Sequence, residues 1–194
     1  TLSGSDAQEA PESLRSWMRR GFVFHRGHAA EQLPADAVAI VHSLAVGPEN
    51  PERQAAAARG LPQFTYSQVL GALMAVRSGV CIAGTHGKST TTALTAGILS
   101  EGGRNPSAIF GANLARLGIN SWAGAGELFV VESCEFRGSF LDLTPKYAAI
   151  LNVEPDHFDC YPDMESLVAA FGAFAAKVDP AGFLLVRHDD HAAL

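Results

Sequence analysis

Apolar residues in this chain fall into short runs separated by glycine, proline and small polar residues. Phe22-Val23-Phe24, Ala37 to Val41, Gln63-Phe64-Thr65, Val80 to Ala83, Ser107 to Phe110, Glu127 to Glu132, Tyr147 to Asn152 and Gly182 to Val186 have the length and content of strands. Segments with helical spacing lie between them. Pro11 to Arg20 sets Leu14, Trp17 and Met18 on one face, and Gly21 stops it. Asn50 is a good N-cap, Pro51 suits the first helical position, and the Ala-rich run reaches Arg59. Ser67 is expected to cap a helix running to Val76. Ser89 to Ser100 is expected to turn Leu94, Ile98 and Leu99 inward, and Met164 to Val178 to do so with Leu167, Val168, Phe171 and Phe174. Ser3 to Asp6 reads as a turn with an acidic end. The glycine-rich stretch from Gly111 to Gly126 reads as loops around short elements. Strand–helix alternation of this kind predicts an α/β fold with a mostly parallel sheet, and Ser78-Gly79 marks a boundary between domains at 1–78 and 79–194.

Composition narrows the function. The chain has 194 residues, 47% of them hydrophobic and 18% charged, enough to bury a real core. Its net charge is −6, and it has no run of Lys or Arg, so a nucleic-acid partner is not expected. No apolar stretch is long enough to cross a membrane, and no membrane insertion is expected. Cys81, Cys134 and Cys160 are widely spaced, with no Cys-x-x-Cys, which fits reduced thiols in a cytosol.

The chemistry concentrates after the run at Val80 to Ala83. There the chain reads Gly84-Thr85-His86-Gly87-Lys88-Ser89-Thr90, a strand, a glycine turn and the start of a helix. Such a turn aims backbone N–H groups at one point, and the helix dipole adds positive potential. Lys88 offers a mobile cation to terminal phosphates, and the Ser89 hydroxyl a ligand for Mg²⁺. The full phosphate-loop pattern wants glycine where this chain has Ile82, so a plain glycine turn with a solvated lysine stays open. Two later strands also end in polar residues, Glu132-Ser133-Cys134-Glu135 and Asn152-Val153-Glu154-Pro155-Asp156-His157. Ligands of open parallel sheets bind beyond the carboxyl ends of strands, so Glu132 and His157 are candidate partners for a Mg²⁺–nucleotide. Each has a plainer alternative: Glu132 as a strand-end cap, His157 as a surface or packed histidine. Glu135 reads as a capping or salt-bridging acid. Thr90 is near enough to reach a phosphate. His188-Asp189-Asp190-His191 reads as a solvated turn rather than a metal cluster. Cys134 lacks a base at motif spacing, which argues against a thiol nucleophile.

Together these residues resemble the Mur ligase family of peptidoglycan synthesis. Histidine at the third loop position, His86, resembles the branch that joins L-alanine to UDP-N-acetylmuramate; the closely similar murein-peptide-recycling branch shares it. Ser3-Gly4-Ser5-Asp6, Arg26-Gly27-His28, the Ser43 region, Asn50-Pro51-Glu52 and Gly60-Leu61-Pro62 are similar to the family's uridine-nucleotide domain. Val131-Glu132 through Leu141, and Asn152 through Asp159 with Tyr161, are similar to its central domain. The resemblance implies a truncated Rossmann-like domain followed by a partial phosphate-loop ATPase-like domain. It implies ATP-dependent amide-bond formation through an acyl phosphate, with ATP and Mg²⁺ as cofactors, in a bacterial cytoplasm. By resemblance Lys88, Glu132 and His157 are catalytic. Gly84 to Thr90 hold nucleotide, and Ser89, Glu132 and His157 serve the metal. Asp6, His28 and Ser43 lie near the uridine diphosphate. Ser89 stands where the family usually has threonine, and Glu132-Ser133-Cys134-Glu135-Phe136-Arg137 replaces a more acidic Glu-Ala-Asp-Glu-Ser-Asp, which leaves the substrate open. The resemblance also implies further sequence on both sides, and hence a fragment without turnover of its own. A phosphate-loop kinase, or a nucleotide-binding module with no turnover, are the rival readings.

Overall fold

The computed structural model describes residues 2–114, 119–156, 160–190 and 192, which divide into two compact units, Thr1–Val69 and Leu70–Leu194. In the first unit β1 (Ser3–Asp6) pairs in parallel with β2 (Val23–Arg26), and β3 (Ile40–His42) with β4 (Gln63–Thr65), as separate two-stranded sheets. Ser3 to Asp6 is therefore a strand, not a turn. Small polar side chains do not prevent an extended backbone from pairing, and here each residue has a partner from Val23 to Arg26. The helix expected over Pro11 to Arg20 contracts to a 3-10 turn at Glu12–Leu14 and a four-residue α1 (Arg15–Met18). Neither has a side-chain cap, and Trp17 and Met18 stay exposed, so no buried face extends the helix. In α2 (Pro51–Ala58), Asn50 Oδ1 accepts the N–H groups of Glu52 and Arg53 at 3.0 and 3.2 Å. α3 (Tyr66–Met74) is capped by Thr65 rather than Ser67. Thr65 Oγ1 accepts the Gln68 N–H at 3.2 Å while Gln68 Oε1 accepts the Thr65 N–H at 3.0 Å, a capping box closed two residues earlier than expected.

The second unit is built on a six-stranded sheet. Its strands are β5 (Ser78–Ala83), β6 (Ser107–Leu114), β7 (Ile119–Trp122), β8 (Leu128–Glu132), β9 (Tyr147–Ile150) and β10 (Phe183–Val186), with α4 (Lys88–Glu101) after β5 and α5 (Met164–Ala175) before β10. The order across the sheet is β10-β9-β5-β8-β6-β7, parallel except for β7. Alternate residues feed two cores. Cys81, Ala83, Phe129, Val131, Ala148 and Ile150 pack with Met74, Phe140, Leu167, Phe171 and Phe174 on one face. Val130, Ala108 and Phe110 meet Ala96 of α4 on the other.

One expectation fails here for an identifiable reason. α4 turns Thr92 and Ala96 to the sheet and leaves Leu94 and Ile98 61% and 70% exposed, with only Leu99 of the expected trio packed. Small side chains let the helix sit close on the sheet, and Leu94 and Ile98, four apart, share a different face. Val168 of α5 is likewise partly exposed. The short elements expected between Gly111 and Gly126 are the end of β6 and the four-residue β7, which form an antiparallel pair. Trp122 anchors it: Nε1 donates to the Pro106 carbonyl at 2.9 Å and the indole tilts against Phe110 at 5.1 Å.

Candidate functional site

β5 lies between β8 and β9. The chain leaves β5 through α4 to β6 on one side and later crosses to β9 on the other. The loop after β5 thus sits where the strand order reverses, the usual ligand crevice of such sheets. Gly84 has φ 133° and Gly87 φ 82°, backbone conformations that favour glycine. A Cβ on Gly84 would also lie 3.1 Å from both the backbone N and O of Asn152. Gly87 is the N-cap of α4, and no side chain caps the helix there. The first-turn amides are therefore left without a side-chain acceptor, and the helix dipole adds positive potential at that end.

The loop is braced from β9. Leu151 N–H donates to Ala83 O and Thr85 N–H to Asn152 O, both at 3.0 Å, which continues the strand pairing past the last sheet residue. Side chains take over from there. Asn152 Oδ1 accepts the His86 N–H at 2.8 Å and Nδ2 donates to the His86 carbonyl at 3.1 Å, a two-point clamp on the backbone of one residue. The buried Thr85 Oγ1 donates to Glu154 O at 3.1 Å and accepts the Glu154 N–H at 2.9 Å. The His86 ring is exposed, with Nε2 3.8 Å from Glu154 Oε2. In the sequence, an amide side chain at a strand end is the one local sign of the bracing by Asn152, and nothing local marks that by Thr85.

Lys88 lies at the first position of α4 with its side chain 12% exposed. Its Nζ donates to Gly84 O at 2.6 Å, to Thr85 O at 3.0 Å, and to Glu135, with Oε1 at 3.2 Å and Oε2 at 3.0 Å. Glu135 is thus the salt-bridging acid, buried to 1% exposure, and its partner is the loop lysine. Its backbone is pinned as well: the Glu135 carbonyl accepts the Gly138 N–H at 2.8 Å and the Tyr161 hydroxyl. Burial pushes the Tyr161 hydroxyl above its ordinary pKa.

Glu132 ends β8 opposite Ile82, partly buried, and its Oε2 accepts the Gly111 N–H at 2.6 Å. Ser89 is partly buried and Thr90 exposed in the first turn of α4. His157 lies outside the described residues. Burial raises the Cys134 thiol above its usual pKa, and the Glu135 and Glu132 charges push the same way, which opposes a thiolate role. In 188–191, Arg187 pairs with Asp189 at 2.6 Å and Asp190 Oδ2 accepts the Val153 N–H at 3.0 Å, while His191 lies outside the described residues. Among the described residues no three His, Cys, Asp or Glu side chains form a metal-binding group.

In the first unit, Asp6, His28 and Ser43 engage different neighbours. Asp6 Oδ1 accepts the Gln8 N–H at 2.8 Å, and Ser43 Oγ the Ala45 N–H at 3.2 Å. His28 Nδ1 is 2.9 Å from Ser5 Oγ and 3.6 Å from Glu52 Oε1, and Ser5 Oγ donates to Glu52 Oε2 at 2.9 Å. Glu52 reaches that imidazole through the Ser5 hydroxyl.

Residues 82–194 match the Mur ligase middle domain, and residues 1–78 match the Mur ligase family catalytic domain. The chain belongs to the Mur ligase family. Among Mur ligases, the UDP-N-acetylmuramate–L-alanine ligase of Oleidesulfovibrio alaskensis is 43% identical over 189 residues, which cover 97% of this chain and 41% of that protein. The ligase of the same name from Aquifex aeolicus is 40% identical over 97% of this chain and 41% of its own length. The chain therefore spans about two-fifths of the curated relatives it matches. Two solved Mur ligase structures share the fold. The UDP-N-acetylmuramate:L-alanyl-gamma-D-glutamyl-meso-diaminopimelate ligase of Neisseria meningitides superposes with TM-score 0.87 at 23% identity, over 98% of this chain and 64% of that one. The UDP-N-acetylmuramate-alanine ligase of Thermotoga maritima gives 0.84 at 23%, over 98% and 44%. Among the described residues no helix is long and apolar enough to cross a membrane.

Proposed function

We propose that this chain is the nucleotide-binding part of a bacterial cytoplasmic ligase that joins L-alanine to the lactyl carboxylate of UDP-N-acetylmuramate, using ATP. The observation that carries this reading is 40–43% identity to ligases of that name over 97% of the chain, with the β5–α4 loop intact and braced. Residues 1–78 serve the uridine nucleotide and 79–194 the ATP. In that assignment Gly84, Thr85, His86, Gly87 and Thr90 form or border the phosphate cradle, and Lys88 neutralises the β- and γ-phosphates. Asp6, His28 and Ser43 lie toward the uridine diphosphate.

The donors present fit a nucleotide-bound Mg²⁺. Hard oxygen ligands suit that ion, and it keeps several waters while taking one or two protein oxygens. Ser89 and Glu132 supply such oxygens, and His157 is the third residue assigned to it. When bound, the ion supplies charge neutralisation at the γ-phosphate. The chain's own work is positioning. A carboxylate and a triphosphate repel, so the α4 amides and the Lys88 ammonium concentrate positive potential where the two must meet. Attack of the carboxylate on the γ-phosphorus breaks its bond to the β–γ bridging oxygen and releases ADP, giving the acyl phosphate; the neutral amine of L-alanine then adds to its carbonyl, and inorganic phosphate and a proton leave as the amide forms.

The test uses the whole protein. Phosphate release from ATP is expected to require both UDP-N-acetylmuramate and L-alanine, with UDP-N-acetylmuramyl-alanine detected by mass spectrometry. Lys88→Ala should abolish it. Acceptance of a murein peptide in place of L-alanine, phosphorylation of a hydroxyl, or wild-type kinetics in Lys88→Ala would overturn the assignment. Turnover is assigned to the whole protein and nucleotide binding to this part.

A further inference from the structure

The ammonium of Lys88 has three N–H bonds to give. It faces three groups: the carbonyls of Gly84 and Thr85 at 2.6 and 3.0 Å, and the Glu135 carboxylate at 3.0–3.2 Å. The first two belong to the loop an anion would enter. The third is a carboxylate 1% exposed, so water does little to weaken its hold. Glu135 is itself fixed at the start of the turn after β8, through the Gly138 N–H and the Tyr161 hydroxyl on its carbonyl. An anion arriving at α4 must therefore compete with a built-in carboxylate for the lysine.

We propose that Glu135 is a positioning and specificity residue that competes with phosphate for Lys88, so that only a polyphosphate draws the ammonium away. The proposal rests on the nucleotide-binding reading of the loop. A triphosphate gains several amide contacts along α4 and the loop besides Lys88, and these offset the broken Lys88–Glu135 pair. Orthophosphate gains too few to do so. Glu135 thereby keeps the cradle from being occupied by small anions.

The experiment is calorimetric titration of the protein with MgATP, with orthophosphate as competitor, for wild type, Glu135→Gln and Glu135→Asp. Exchange of the Lys88 ammonium protons with water, by ¹H–¹⁵N NMR, reports the pair without nucleotide. The signal lost in Lys88→Arg assigns the Lys88 ammonium apart from those of the other lysines, Lys146 and Lys177 in this chain. Glu135→Gln keeps the shape and removes the charge. It should bind MgATP about five- to ten-fold more tightly, admit orthophosphate as an effective competitor, and speed Lys88 exchange. Glu135→Asp keeps the charge one methylene further back; it should speed exchange and move MgATP affinity by about twofold or less. A purely structural Glu135 would lower the melting temperature and leave affinity and competition unchanged. Wild type that binds MgATP beside a Glu135→Gln variant of equal or lower affinity overturns this proposal alone. Wild type that binds no MgATP removes the nucleotide reading and this proposal with it. Should Glu135→Gln not fold, unchanged Lys88 exchange in Glu135→Asp overturns the proposal.

Discussion

Asn152→Ala removes both halves of the clamp on the His86 backbone, the bonds at 2.8 and 3.1 Å. A hydrogen bond of this kind contributes about 0.5–1.5 kcal/mol net, so the pair contributes about 1–3 kcal/mol. His86 is exposed, so water replaces both lost partners and no buried group is left unpaired. The loss should fall in the lower half, about 1–2 kcal/mol, which lowers the melting temperature by about 2–8 °C for a chain of this size. Thr85 still holds Glu154, so the loop loosens rather than collapses. Asn152→Asp is the sharper variant. It keeps an acceptor for the His86 N–H but sets an oxygen against the His86 carbonyl, and should destabilise at least as much as alanine. Hydrogen exchange at the His86 amide, read beside thermal unfolding, checks this. If that amide exchanges as slowly in Asn152→Ala as in wild type, the clamp does not hold the loop and the reasoning fails.

Other substitutions test other parts of the structure. Gly84→Ala puts a side chain at φ 133° and 3.1 Å from the Asn152 backbone, and should cost about 2–4 kcal/mol in urea unfolding; wild-type stability would mean the loop relaxes freely. Phe140, stacked on Phe174 at 4.9 Å and edge-on to Phe171 at 5.2 Å, should cost about 3–5 kcal/mol when truncated to alanine, measured the same way. Burial pushes the Cys81 thiol from 9.0 up to about 12, so the folded chain keeps a proton that the unfolded chain releases. That contribution is complete below about pH 9 and is lost as pH rises toward 12, at up to about 1.4 kcal/mol per pH unit. Cys81→Ala should make the alkaline loss of stability shallower, leaving the share that the raised Cys134, Tyr66 and Tyr161 groups contribute, as read from stability measured against pH.

Much of the second unit was legible because its strands are buried on both faces and read as continuous apolar runs, as Leu128 to Val131 do. The loop was legible because its glycines and Lys88 lie within six residues of one another in sequence. What escaped depends on partners distant in the chain. Nothing local says that Glu135, among several acids near β8, turns inward to Lys88, or that Asn152 closes on His86. The α4 face was misjudged because larger side chains, Leu94 and Ile98, outweigh Thr92 and Ala96 in a hydrophobic pattern, whereas close packing on a sheet selects small ones. β1 was missed because Ser-Gly-Ser-Asp has turn composition, and only pairing with β2 makes it a strand.

The brace on the loop also sets a timetable for folding. The cradle's sequence ends at Ser89, yet the groups that hold it, Asn152 and the Glu154 backbone, come 66 and 69 residues after His86 and Thr85. A chain emerging from synthesis carries the loop long before it carries its supports. Closing so long a span comes late relative to local helix formation. Competence to bind an anion should therefore appear abruptly, when β9 docks beside β5, and not gradually as α4 forms.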